Sequence, residues 1–263
     1  MDLLQSKLRN DLFGQHIVHD KLIAVLKSHF SNKPQKPLVI SMHGWTGGGK
    51  NYVSKIKYVH MFSGRLHFPL SSQAAVEEYT VNLQNWIRGN VSECPRSIFI
   101  FDEVDKLPAE LVEAMKPFFD YHSSIDSIDF RQSIFIFLSN MGGNVITKTY
   151  MDLWNDGVPR ERMEYVTFER VLRKLLYNTA GYFEKSAVLE DHLITLFLPF
   201  LPLERRHVAM CVEKEMERLR LRPNEQDVEN ILDQMEFFQD KFSVSGCKRV
   251  NDLVAMLAYR SEF

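Results

Sequence analysis

The stretch Ser41-Met42-His43-Gly44-Trp45-Thr46-Gly47-Gly48-Gly49-Lys50-Asn51 follows the apolar run Leu38-Val39-Ile40, and Gly44, Gly49 and Lys50 within it have the spacing G-x-x-x-x-G-K. That spacing builds a phosphate-binding loop. Glycines let the backbone approach an anion, successive N–H groups point into the loop, and the helix that follows turns its positive end toward the phosphates. Residues Gly44, Trp45, Thr46, Gly47, Gly48, Gly49, Lys50 and Asn51 are therefore the expected nucleotide-binding set, with Lys50 as a mobile point charge for the β- and γ-phosphates. The last position departs from the pattern: a Ser or Thr hydroxyl usually ligates Mg²⁺ there, and here an Asn51 amide oxygen must reach the metal.

A strand leading into such a loop calls for a parallel sheet, and the flanking sequence supplies one. Val18, Leu22, Val25 and Leu26 recur at helical spacing before the loop. Ser97–Phe101 and Ser133–Leu138 are uninterrupted apolar strands, separated by a helix over Pro108–Asp120; another helix, over Gln73–Asn90, carries Val76, Leu83 and Ile87. Strands alternating with helices give an α/β fold, a parallel sheet covered on both faces. Tyr150–Leu189 reads as charged and mostly helical. Leu196–Pro202 reads as a stiff apolar link, beyond which Val208/Cys211/Val212, Val228/Ile231/Leu232/Met235 and Val250/Leu253/Val254/Leu257 mark three helices. The organisation expected is a nucleotide-binding α/β domain over residues 1–198 and a small all-helical domain over 199–263.

The segment just after the loop poses a geometric problem. A helix returning along a five-residue strand, about 17 Å long, needs about eleven residues. A second strand at Tyr58–Phe62 leaves only seven after Lys50. The spacing favours the other arrangement, a helix continuing through Val53, Ile56, Val59 and Phe62, ended by Ser63-Gly64 and followed by a short strand over Arg65–Phe68.

Composition narrows the function. The 263 residues are 45% hydrophobic and 25% charged with a formal net charge of -2, which suits a globular protein and disfavours nucleic acid as a partner. Neither a membrane-spanning run nor a signal peptide is legible, so residence in the cytosol is expected if the sequence is complete. Cys94, Cys211 and Cys247 lack zinc spacing; Cys211 and Cys247 both fall in the helical part and are open to a disulfide or to two reduced thiols. Asn90-Val91-Ser92 is a glycosylation sequon, with Asn90 the acceptor.

The second chemical motif is Ile98-Phe99-Ile100-Phe101-Asp102-Glu103, two carboxylates at a strand's carboxyl end, where ligands of such sheets sit. Asp102 is expected to hold Mg²⁺ through water and Glu103 to polarise the water attacking the γ-phosphate of ATP. Asn140, at the end of the next strand, is placed to orient that water, and Lys248, in Gly246-Cys247-Lys248, to bridge from the small domain to the nucleotide.

With these residues assembled, the chain resembles the AAA+ ATPases of the Clp/HSP100 branch and, within them, the torsins. The resemblance is carried by Leu12-Phe13-Gly14-Gln15-His16, Gly44–Asn51 with its terminal Asn, Trp86–Ser92, Phe99–Glu103, Phe137-Leu138-Ser139-Asn140, Pro199–Glu204 and Gly246-Cys247-Lys248. It implies an ATPase of the endoplasmic reticulum lumen and nuclear envelope that remodels protein or membrane complexes. Such an ATPase assembles as an oligomer and is activated when a membrane-anchored partner's lumenal domain supplies an arginine finger in trans. It also implies that Asn140 is the sensor-1 and Lys248 the sensor-2 residue, that Cys211 and Cys247 form a redox-sensing pair near the nucleotide, and that Asn90 carries glycan. The family has about a dozen more residues between Ile56 and Tyr58, so an internally shortened form is expected. The competing readings are a nucleotide-binding regulatory module without turnover and, more remotely, a small-molecule kinase.

Overall fold

The computed structural model describes residues 2–53, 59–178 and 193–260. Among them, five parallel strands form one sheet: β1 (Leu38–His43), β2 (Val59–Ser63), β3 (Ile98–Asp102), β4 (Ile134–Ser139) and β5 (Leu196–Pro199), in the order β2-β3-β4-β1-β5. The apolar runs of β3 and β4 contain a second, finer pattern. Ile and Phe alternate, and a strand's period of two sends them to opposite faces. One face is aromatic: Phe99, Phe101, Phe135, Phe137 and Phe197 pack with Leu83, Ile87, Leu111 and Met115. Neighbouring rings stack across the strands, Phe99 on Phe135 at 5.0 Å and Phe101 on Phe137 at 5.4 Å. The other face is aliphatic, with Ile40, Met42, Ile98, Ile100, Ile134, Ile136 and Leu138 set against Leu8, Leu12, Val18, Leu22 and Leu26.

Helices cover the faces accordingly. The aliphatic one lies under α1 (Asp2–Asp11) and α2 (His16–Ser31); the aromatic one lies under α5 (Gln73–Glu93) and α6 (Ala109–Met115), where α3 is Lys50–Val53 and α4 Gly64–His67. After β4 come α7 (Gly143–Asn155) and α8 (Tyr165–Asn178). The C-terminal helices α9 (Arg205–Arg218), α10 (Glu225–Leu232) and α11 (Val250–Arg260) close on a core of their own, built from Val208, Val212, Met216, Ile231, Leu232, Leu253 and Val254. A further cluster, with Tyr150, Phe168, Leu172, Leu201 and Phe242, joins the two parts.

Two expectations need correction. The second strand is Val59–Ser63, and the helix after the phosphate loop is the four-residue Lys50–Val53, so the extended helix through Phe62 and the strand at Arg65–Phe68 do not form. Side-chain partners decided this. Phe62 stacks on Phe101 at 5.2 Å and His60 on Phe99 at 5.3 Å, which a spacing of two places on one face of a strand and a helix does not. In the sheet β2 does not lie beside β1: β4 and β3 stand between them. Residues 54–58, on which the expected shortening bears, lie outside the described residues, as do 179–189 of the segment read as helical. The second correction concerns Leu196–Pro202: its first four residues are β5, paired with β1 from Ile40↔Leu196 to His43↔Pro199, so the link begins at Phe200.

Candidate functional site: a phosphate-loop cleft

Parallel strands deliver their carboxyl ends to one edge, and register sets which residues meet there. His43 pairs with Ser139 and Ser63 with Asp102, so the phosphate loop, Asp102-Glu103 and Asn140 emerge side by side. Between them and the helical part is a cleft of about 470 Å³, lined by Asp11–Phe13, Thr46–Asn51, Asp102, Glu103, Asn140, Leu203, Cys211, Cys247 and Lys248.

Lys50 is the centre of this arrangement. Its ammonium, only 6% exposed, donates to the carbonyls of Gly44 (2.6 Å) and Trp45 (2.9 Å) and to Oδ1 of Asn140 (2.9 Å). Burial pulls its pKa down to about 8, while Asp102 and Asp105 hold it up. At neutral pH the lysine therefore carries its charge, folded back on the loop's own carbonyls until a stronger anion competes. Gly44 and Trp45 serve the cleft through those carbonyls. The Trp45 ring instead braces α7, its indole N–H donating to Asn144 Oδ1 at 3.1 Å.

Asn51 shows how an amide replaces the usual hydroxyl. Its Nδ2 donates to Asp102 Oδ2 at 2.7 Å. A hydroxyl holds donor and acceptor on one atom; the amide divides them, so the N–H serves the carboxylate and the carbonyl oxygen is the ligand-type atom. An amide oxygen and one carboxylate are hard donors that suit Mg²⁺, which takes one or two protein carboxylates and completes its shell with phosphate and water. Among the described residues no group of three or more His, Cys, Asp or Glu side chains is disposed to hold a metal.

Glu103 sits at φ +52, a left-handed conformation unusual for glutamate. Asp102 Oδ1 accepts its backbone N–H at 2.8 Å, and Ser63 Oγ donates to its Oε2 at 2.8 Å. Lys248 lies on the opposite wall, directly after the loop Ser245–Cys247 that touches the phosphate loop: the N–H of Cys247 donates to the carbonyl of Gly47 at 3.3 Å. Cys247 is joined to Cys211 by a disulfide, while Cys94 is free. Asn90 is away from the cleft, in the last turns of α5, where its Nδ2 donates to the Trp86 carbonyl at 2.8 Å.

Several residues of the site carry no role in the sequence reading. His43 is fully buried; its Nδ1 faces the Met141 carbonyl at 3.1 Å and so holds the proton, which leaves Nε2 to accept from Ser41 Oγ at 2.8 Å. Burial, with Lys50 nearby, pushes its pKa down to about 4 against that hydrogen bond. Asp105 accepts from Ser139 Oγ at 3.1 Å. Arg160, 4% exposed, donates to the carbonyls of Gly14 and Pro202 (both within 3.0 Å) and stacks over Tyr150, whose hydroxyl donates to Glu204 at 2.6 Å. None of these follows a recognisable spacing; each becomes visible only when distant segments meet.

A five-stranded parallel sheet with a phosphate loop after its penultimate strand in space, acidic residues at the end of the strand two places away and a helical C-terminal part defines the AAA+ class of P-loop proteins. Solved structures agree: the chain matches the S. cerevisiae Hsp104-ADP complex with a TM-score of 0.65 at 17% identity, covering 98% of this chain and 48% of that one. It also matches the closed state of Hsp104 with ATPγS and FITC casein, with a TM-score of 0.64, again at 17% identity, covering 98% and 47%. The chain thus spans about half the length of Hsp104. The Torsin family model matches residues 1–101, and the model for the Torsin-1A C-terminal domain matches 203–257. A Torsin-like protein of Caenorhabditis elegans is 43% identical over 267 residues, covering 94% of this chain and 74% of that protein. One of Drosophila melanogaster is 38% identical over 280 residues, covering 98% and 82%. The chain belongs to the torsin family.

Proposed function

We propose that the chain binds ATP with Mg²⁺ in the phosphate-loop cleft and hydrolyses it when a partner completes the site, using the cycle to remodel protein or membrane complexes. The observation that carries this reading is the convergence of Lys50, Asn51, Asp102, Glu103, Asn140 and Lys248 on one cleft from four separate segments. Each has a task there. Lys50 neutralises the terminal phosphates, Asn51 and Asp102 hold the cation, Glu103 takes the proton from the attacking water, and Asn140 orients that water. The magnesium ion, when bound, neutralises charge on the β- and γ-phosphates. Lys248 reaches the nucleotide from the helical side, so that the angle between the two parts reports its state.

The partner is a membrane-anchored protein whose lumenal domain supplies an arginine at the subunit edge, in a homo- or hetero-oligomer. The compartment is the endoplasmic reticulum lumen and nuclear envelope. The Cys211–Cys247 disulfide supports it, since such bonds persist where the redox poise is oxidising. Glycan on Asn90 is compatible with the fold, because a glycosylated amide keeps one N–H for the Trp86 carbonyl.

ATP binding and hydrolysis measured for the wild type, Lys50→Ala and Glu103→Gln, with and without such a lumenal domain, test the reading. Binding lost in Lys50→Ala, and turnover that needs both the partner and Glu103, are expected. Binding without partner-dependent turnover would instead favour a nucleotide-binding regulatory module, the reading suggested by Asn51 and the shortened segment after the loop.

A further inference from the structure

Three consecutive glycines, Gly47, Gly48 and Gly49, form the crown of the phosphate loop. Without Cβ atoms, the peptides between them have little intrinsic preference for either orientation. Something outside the loop must choose. Across the peptide joining Gly48 to Gly49, the trans geometry makes the Gly48 carbonyl and the Gly49 N–H point in opposite directions, so whatever holds that carbonyl also aims that N–H.

Gln15, 1% exposed at the start of α2, is the side chain that holds it. Its Nε2 donates to Gly48 O at 3.2 Å. The same Nε2 donates to Leu201 O at 2.9 Å, while its Oε1 accepts the N–H of Leu201, also at 2.9 Å. The amide is therefore pinned at both ends to the chain leaving β5 and cannot rotate away. That chain is itself stitched to the loop's root, where the N–H of Phe200 donates to His43 O at 2.7 Å.

We propose that Gln15 is a positioning residue for phosphate binding: its amide, clamped by the backbone of Leu201, keeps the Gly48 carbonyl turned out and the Gly49 N–H turned toward the β- and γ-phosphates. The inference rests on the reading that this cleft takes a nucleotide. Losing one well-aimed N–H to a phosphate, a charge-assisted bond of about 1.5–3 kcal/mol, corresponds to roughly a 10- to 150-fold loss of affinity.

Calorimetric titration of the full chain with ATP, ADP and AMP tests it, using Gln15→Met, which keeps the side chain's length and packing but neither hydrogen-bonding group. The expected result is at least a tenfold loss for ATP and ADP with AMP affinity unchanged, because AMP lacks the phosphates the crown would hold. Gln15→Glu supplies a second check: its carboxyl, pressed against two carbonyls, must be protonated to donate, so its ATP affinity relative to wild type improves as pH falls from 8 to 6. A wild type that binds none of the three nucleotides overturns the nucleotide reading and this inference together. A wild type that binds ATP, with Gln15→Met either unchanged or weakened equally toward all three, overturns the inference alone.

Discussion

Gly47→Ala tests how tightly the phosphate loop is locked to the helical part. Gly47 sits at φ +73, and a Cβ built on it falls 1.9 Å from the carbonyl oxygen of Ser245 and 3.0 Å from Cα of Gly246. Both obstacles are backbone, so neither can rotate aside; the Ser245–Cys247 loop must retreat by about an ångström to restore ordinary contact. The retreat breaks the hydrogen bond from Cys247 to the Gly47 carbonyl, worth about 0.5–1.5 kcal/mol, and the left-handed conformation costs an alanine about 1–2 kcal/mol more than a glycine. The combined loss is about 1.5–3.5 kcal/mol, or roughly 3–14 °C in melting temperature for a chain of this size. Because Lys248 directly follows that loop, ATP affinity should fall as well. Gly89→Ala is the matched control. Gly89 lies within α5 with no heavy atom within 4 Å of its virtual Cβ, so the same change there should stabilise by about 0.5–1 kcal/mol. Thermal melting and titration with a fluorescent ATP analogue measure both. If Gly47→Ala melts within 1–2 °C of wild type and binds ATP equally well, the claimed contact between loop and helical part does not exist.

His43, depressed to about 4 in the fold, binds fewer protons there than in the unfolded chain, so it contributes stability that is present above pH 6.5 and lost as pH falls toward 4, on the order of 3 kcal/mol; His43→Gln should flatten urea-unfolding stability across that window. Lys50, lowered to about 8, has the same sense at the alkaline end: below pH 8 its burial is a full penalty, which is relieved as pH rises toward 10.5, so the wild type should gain stability over that range and Lys50→Met should not. Reducing the Cys211–Cys247 disulfide opens a loop with a sequence separation of 36 and should cost about 2–4 kcal/mol, read as a lower melting temperature with dithiothreitol that Cys211→Ser reproduces without it.

Chemistry confined to contiguous residues was legible before any coordinates. Gly44–Asn51, Asp102-Glu103 and the apolar strands before them are local patterns, and local patterns report backbone geometry and ligand type directly. The three C-terminal helices were equally plain from their spacing. The second strand was misread because a run such as Val59–Ser63 is too short for periodicity to separate strand from helix; ring stacking on Phe99 and Phe101 settled it. The fifth strand was taken for a link because only pairing with β1 distinguishes them.

Contiguous residues are enough to specify a phosphate loop, an acidic strand end and a parallel α/β architecture, since each depends on residue type and near-neighbour spacing. Packing between distant segments sets the strand order, the pairing of Cys211 with Cys247, the seating of the Ser245–Cys247 loop on Gly47, and the amide of Gln15 on Gly48. Those are contacts between segments 33 to about 200 residues apart, chosen by which faces bury together, and no local pattern encodes them.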